Sequence, residues 1–272
     1  MKRFKLLHII IISVIAITTV SGQRRKLRRY DVGLNLGSTQ VFGDIGGTAS
    51  EKNWFGIKDL RLDETRPAIG LHVRYKIDQT YSVKFMSCFG LGKGSDEDSR
   101  NDHRGFSYKT TIIENSFQVE YYLISEEKKY RSAAMYNRRG MLNNYSTFSA
   151  YTFLGLGATM FFPNTDAVVR VNQNNGDVYD QIDGYGFIAV SVPLGLGVKY
   201  IIDDKWLAGA EVGYRWTTSD FLDGYKQLFN SKYNDVYYFM LFSVSYRLKT
   251  SRRGLPVFLD RGYKRARSRS IF

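Results

Sequence analysis

From Phe187 to Trp216 the chain reads FIAVSVPLGLGVKYIIDDKWLAGAEVGYRW, with side chains alternating in character on both sides of Asp203-Asp204. Period two across a two-residue polar turn predicts a β-hairpin. On the first arm Ile188, Val190, Val192, Leu194, Leu196, Val198 and Tyr200 share one face, opposite Ala189, Ser191, Pro193, Gly195, Gly197 and Lys199. On the second arm Trp206, Ala208, Ala210, Val212, Tyr214 and Trp216 oppose Gly209, Glu211, Gly213 and Arg215. One face is apolar for about ten residues and ends in aromatics, while the other is small or charged. That is the lipid-out, polar-in arrangement of a transmembrane strand. A soluble sandwich would turn the same apolar face inward, so the choice falls to the rest of the chain.

The same alternation recurs. Tyr30 to Ser38 sets Tyr30, Val32, Leu34 and Leu36 against Asp31, Gly33, Asn35 and Gly37. Ala68 to Ile77 sets Ile69, Leu71, Val73 and Tyr75 against Gly70, His72, Arg74 and Lys76, and a tight turn at Asp78-Gln79 leads into a strand over Tyr81 to Leu91. Further strands are predicted over Phe106 to Leu123, Phe148 to Phe162 and, after the hairpin, Val236 to Leu248. Eight antiparallel strands can close so that no edge faces lipid. The two shortest connections follow the second and sixth strands and lie at one end; those after the first, third, fifth and seventh are long. Short turns are periplasmic and long loops external in such barrels. The connection after the fourth strand, 125 to 146, is the exception, long on the short-turn side. The expected fold is all-β, an eight-stranded antiparallel up-and-down transmembrane β-barrel in the outer membrane.

Composition agrees. Twenty Tyr, 18 Phe and 25 Gly against four Pro favour strands. The mean hydropathy of −0.31 argues against a helical membrane protein. The N-terminus has Lys2, Arg3 and Lys5, then an apolar run from Leu6 to Val20 and a small-residue end at Ser21-Gly22, which reads as a secretory signal peptide cleaved before Gln23. The expected organisation is signal peptide 1–22, basic periplasmic segment 23–29, barrel 30–249 and basic periplasmic tail 250–272. Cys88 has no partner for an intramolecular disulfide and reads as a small interior side chain.

Charge then divides the molecule. Inward positions hold Arg74, Lys84, Glu114, Glu120, Lys199, Glu211, Arg215 and Arg247, a lumen charge network in which opposite signs can pair and Glu211 with Arg215 is the expected local pair. An eight-stranded barrel is filled by its own side chains, so conduction of large solutes is not expected. The external loops carry ten Lys/Arg against sixteen Asp/Glu. The periplasmic pieces are basic: Arg24 to Arg29, then Lys128, Lys129, Arg131, Arg138 and Arg139, then Arg252, Arg253, Arg261, Lys264, Arg265, Arg267 and Arg269. The net charge of +13 is concentrated on that rim, where it would attract anionic lipid or an acidic protein surface. A periplasmic rim makes nucleic acid an unsuitable partner. The second and third groups are the candidate periplasmic docking residues.

Catalytic and metal readings are weak. The glycine clusters near Gly90, Gly155 and Gly195 precede no helix and read as space-saving positions, not phosphate loops. Asp96, Asp98 and Asp102 match a calcium loop poorly, because Arg100 intervenes and the turn glycine is missing. Only His72 and His103 follow the signal, and no Ser/His/Asp spacing appears. No catalytic residue, metal site or cofactor is expected, and the chain is not read as an enzyme.

The run PLGLGVKYIIDDKWLAGAEVGYRWTTSDFLDGY resembles the PorG-like family of Bacteroidota outer-membrane barrels, a component of the type IX secretion system. The matching pieces are Pro193 to Tyr200, Asp203-Asp204, Gly209 to Arg215 and Thr218 to Asp223, with Ser219 inserted before Asp220, and Gly224 where a second acidic residue is common. Phe42 to Gly47, Thr65 to Pro67 and Glu120 to Tyr122 also look like family positions. The resemblance implies a non-enzymatic part of a protein-secretion machine that anchors or organises a periplasmic ring of PorK-like lipoprotein and PorN-like protein. The alternative is a free-standing barrel that binds a surface ligand or partner through its acidic outer loops.

Overall fold

A computed structural model describes residues 29–43, 45, 62–97, 105–125, 147–165, 179–181, 187–203, 205–227, 234–251 and 255–259. The strands are β1 (Tyr30–Phe42), β2 (Arg66–Lys76), β3 (Tyr81–Ser95), β4 (Ser107–Ile124), β5 (Phe148–Thr165), β6 (Tyr179–Gln181), β7 (Phe187–Ile201), β8 (Trp206–Thr217), β9 (Tyr225–Gln227) and β10 (Val236–Arg247). Eight of them close an antiparallel barrel in the order β1-β10-β8-β7-β5-β4-β3-β2. Closure is made by β1 against β10, from Asp31↔Arg247 to Phe42↔Val236. The short strands β6 and β9 pair with each other, joining the two loops that carry them.

The face expected to meet lipid is the outside of the barrel. Leu71, Phe117, Leu156, Ile188, Leu196 and Phe242 are exposed there, whereas His72, Glu114, Glu120, Glu211 and Arg215 point inward and are buried. Aromatic pairs bound this apolar belt at both ends. Tyr30 with Tyr75, Tyr81 with Tyr121 and Trp206 with Tyr246 lie at the short-turn end, their ring centroids 4.9 to 5.4 Å apart. Tyr238 with Phe42 and Tyr214, and Tyr214 with Trp216, lie at the other. From Trp206 to Trp216 is about 33 Å along a strand, which at a tilt of about 40° spans about 25 Å, the height of an outer-membrane apolar band. Among the described residues no helix is long and apolar enough to cross a membrane; the strands do the crossing. An even strand count, short turns at one end, long connections at the other and two aromatic girdles make this an outer-membrane β-barrel.

Two differences from expectation concern strand ends. Several strands run further toward the long loops than the apolar pattern does: β1 to Phe42, β3 to Ser95 and β5 to Thr165. Their ladders continue, as in Lys93↔Lys109, past the point where the outer face leaves lipid and no longer needs apolar side chains. The tight turns are also wider than two residues. Ile77 N and Asp78 N both donate to Tyr81 O at 3.1 and 3.3 Å, and Ile202 N and Asp203 N donate to Trp206 O at 3.1 and 3.2 Å. Asp78 explains the first: its Oδ1 accepts the N–H groups of Thr80 and Tyr81, each at 2.7 Å, and so nucleates a three-residue loop.

Residues 29–249 form one compact unit. Of the tail, Thr250 bridges Pro256, and Ser251 N donates to Leu255 O at 2.8 Å. The expected signal peptide 1–22, the basic residues 24–28 and the connection 126–146 lie outside the described residues.

Candidate functional site in the lumen and at the barrel ends

Inward side chains divide the lumen into two chemically distinct halves. Toward the short turns, Arg74 on β2 is the hub. Its Nε meets Glu120 of β4 at 2.8 Å, its Nη1 meets Asp31 of β1 at 3.1 Å, and its Nη2 meets Glu211 of β8 at 3.2 Å. Lys84 on β3 lies 2.6 Å from Glu211 and 3.6 Å from Glu120. Lys199 on β7 lies 3.9 Å from Glu120 and hydrogen-bonds the Tyr122 hydroxyl. Tyr122 donates in turn to Glu120 at 2.8 Å, and Tyr151 donates to Glu211 at 2.5 Å. The arrangement ties seven of the eight barrel strands across the axis. His72 joins at its edge, with Nδ1 3.0 Å from Asn35 Oδ1 and Nε2 3.1 Å from Ser245 Oγ.

Above this layer stands a second pair. Arg215 Nε meets Glu114 Oε2 at 3.2 Å, the same oxygen accepts the Tyr237 hydroxyl at 2.7 Å, and the Arg215 guanidinium lies 4.6 Å from the Phe239 ring centroid. Beyond it a large apolar cluster fills much of the lumen. Val41, Ala68, Met86, Cys88, Ile112, Phe161, Ala189, Phe239 and Leu241 pack together with Ile45, Phe106, Leu222 and Tyr225 from the long-loop end. The glycines make room for large neighbours. A Cβ at Gly195 would lie 2.5 Å from the Phe153 ring, at Gly197 2.5 Å from the Tyr151 hydroxyl, and at Gly90 2.7 Å from Phe239. The glycine clusters thus serve close packing, between neighbouring strands at Gly195 and Gly197 and across the lumen at Gly90.

The network brings together Arg74, Lys84, Glu120, Lys199 and Glu211, and separately Arg215 with Glu114. The expected pairing of Glu211 with Arg215 is corrected. Four residues along one extended strand are about 13 Å apart, so each finds its partner across the lumen instead. Arg247 is half-buried at the end of β10, beside Asp31 on β1. Asp31, Tyr122, Tyr151, Tyr237 and His72 belong to the lumen's polar network but were not among the expected network residues. An available signal was inward parity combined with a glycine on the neighbouring strand, which marks Tyr151 against Gly197. The proposed docking residues Lys128, Lys129, Arg131, Arg138, Arg139, Arg252, Arg253, Arg261, Lys264, Arg265, Arg267 and Arg269 all lie outside the described residues.

Glu114, Glu120 and Glu211 are 0 to 4 % exposed. A substrate approaching Glu120 or Glu211 would have to displace Arg74 or Lys84 and strand a buried charge. Among the described residues no three His, Cys, Asp or Glu side chains converge as a metal site. Cys88 is a free, buried thiol.

No protein-family model and no curated protein matches the chain. Among solved structures the chain is similar to Ail, the attachment invasion locus protein of Yersinia pestis, at 11% identity over 81% of this chain and 99% of that one, with a TM-score of 0.39. It is also similar to the Escherichia coli outer membrane protein W, at 16% identity over 81% of this chain and 98% of that one, with a TM-score of 0.36. The outer membrane protein OprG from Pseudomonas aeruginosa gives 12% identity over 80% and 96%, with a TM-score of 0.37.

Proposed function

We propose that this outer-membrane barrel is a non-enzymatic component of a type IX secretion apparatus that anchors or organises a periplasmic assembly, a ring of PorK-like lipoprotein and PorN-like protein. The observation that carries the reading is the filled lumen. Arg74, Arg215, Tyr151, Phe153, Phe161 and Phe239 are all fully buried inside it, so the barrel is suited to hold a position in the membrane and to act through its ends. The basic charge of the periplasmic pieces and the Pro193 to Asp223 resemblance support the choice of end and of machine.

A deletion strain tests it. Loss of secreted proteins from the medium, restored by the intact gene, is the expected result; normal secretion sinks the reading. Neutralising Arg138, Arg139 and the basic residues from Arg252 to Arg269 should leave the barrel inserted while a periplasmic complex no longer co-purifies in moderate salt. The rival reading, ligand capture by acidic outer loops, has less to work with, because Asp220, Asp223 and Asp235 of loop 218–235 are buried.

A further inference from the structure

The first part of the loop between β8 and β10, residues 218–225, turns back into the barrel instead of standing in solvent. Leu222 and Tyr225 are fully buried in the apolar half of the lumen, and Tyr225 stacks on Phe106 from the preceding end of β4, centroids 5.1 Å apart and planes at 4°. Two carboxylates hold the loop there. Asp223 Oδ2 accepts the Ile45 N–H at 3.3 Å and its Oδ1 accepts the Tyr225 N–H at 3.0 Å, while Asp235 Oδ2 accepts the Leu222 N–H at 2.7 Å. Thr217 Oγ1 donates to Asp235 O at 2.7 Å, and Asn234 Nδ2 donates to Thr217 O at 3.1 Å, which closes the base of the loop. Gly224 sits at φ 83°, a conformation a side chain would strain, so the turn that aims Leu222 and Tyr225 inward depends on glycine. Gly43 at the end of β1 leaves the space both carboxylates fill; a Cβ there would lie 2.8 Å from Asp235 Oδ1 and 2.9 Å from Asp223 Cγ.

We propose that residues 217–225 form a latched lid that closes the outer mouth of the lumen, with Asp223 and Asp235 as the latch and Leu222 and Tyr225 as the stopper. Beneath the stopper the lumen is not wholly apolar: Thr39 Oγ1, Glu114 Oε1, Gln118 Oε1 and Ser191 Oγ are buried without a protein partner, the setting that ordered water suits. Opening the lid admits water and small solutes from the cell surface down to that level. The lid belongs to the end of the barrel away from the periplasm, so this inference stands apart from the secretion reading.

Cys88, the chain's single cysteine, reports on it without engineering. It is 1 % exposed and packs in the same apolar cluster as Leu222 and Tyr225. The purified barrel in detergent or liposomes is treated with a small charged methanethiosulfonate, and modification of Cys88 is followed by mass. The native protein should react slowly. Asp223→Ala with Asp235→Ala removes charge-assisted bonds to three backbone N–H groups and should speed modification about tenfold or more. Gly43→Ala attacks the latch from the opposite side and should act in the same direction. Heat-shifted migration on gels, which reports a closed barrel, must be retained by each variant scored; Gly43→Ala, which substitutes neither latch carboxylate, supplies the test should the double variant fail to fold. Modification of native Cys88 as fast as that of the variants, or slow modification in folded latch variants, overturns the proposal.

Discussion

The two halves of the lumen solve one problem by opposite means. Both must fill a narrow cylinder whose wall is surrounded by lipid. The half near the short turns uses Arg74, Lys84, Lys199, Asp31, Glu120 and Glu211, ionic groups that satisfy one another across the axis. The half near the long loops uses Phe161, Phe239, Ile112 and Met86, closed from above by Leu222 and Tyr225. Charge pairing constrains which strands face which, because each ion accepts few partners; apolar packing tolerates exchange of shape but needs a lid to keep water out. The barrel thus carries a rigid inner end and a closable outer end.

The largest effect should come from breaking the ionic half at its hub. Arg74→Ala leaves Glu120 and Glu211 short of a partner in a buried site, and a loss of about 3–5 kcal/mol is expected. Urea unfolding of the purified barrel in detergent or liposomes, read by gel migration, measures it. An unchanged midpoint would mean that the network is hydrated enough to be dispensable. The matching cut in the apolar half is Phe239→Ala, expected to cost about 3–5 kcal/mol through the cavity it leaves, a value that collapse of neighbouring side chains would lower. Because the first loss is electrostatic and the second is not, Arg74→Gln should recover little, whereas Phe239→Leu should recover most of its deficit.

A double-variant cycle sharpens the contrast at the boundary. Glu114→Leu alone strands Arg215 and takes from the Tyr237 hydroxyl one partner, while Thr159 Oγ1 stays at 2.8 Å; adding Arg215→Leu removes the stranded charge. The pair should therefore be more stable than the Glu114→Leu single variant by about 1–3 kcal/mol. Simple additivity of the two losses would show that Arg215 finds a substitute partner.

How far the sequence showed this follows from which surface each residue meets. Lipid demands an unbroken apolar face, so Leu71, Phe117, Leu196 and Phe242 mark their strands and, by parity, name the inward charges on the opposite face. Parity does not say which inward residues meet, because that depends on the tilt and stagger of the closed sheet. Glu211 therefore reaches Arg74 and Lys84 instead of Arg215, its neighbour on β8. Tyr122 was hidden for a related reason: its ring faces inward, yet in composition it resembles the girdle tyrosines outside, whereas Tyr151 was marked by Gly197 opposite it. The lid was not legible at all. TSDFLDGY has no alternation, and its aspartates read as a solvated acidic loop when the backbone N–H groups that they accept are out of view.

The smallest expected effect concerns the turn that feeds the rigid end. Asp78 holds the N–H groups of Thr80 and Tyr81, both at 2.7 Å, and delivers the chain from β2, which carries Arg74, into β3, which carries Lys84. Asp78→Ala should cost about 1 kcal/mol, since the turn is exposed and water can replace part of what is lost. Asp78→Asn keeps an acceptor and should cost less. If the ionic half is the rigid part of the barrel, register between Arg74 and Lys84 is fixed by Glu120 and Glu211 more than by the turn, and Asp78→Ala will speed unfolding more than it slows folding. Refolding into liposomes followed by gel migration separates the two rates; an effect confined to slower folding would place the source of register in the turn instead.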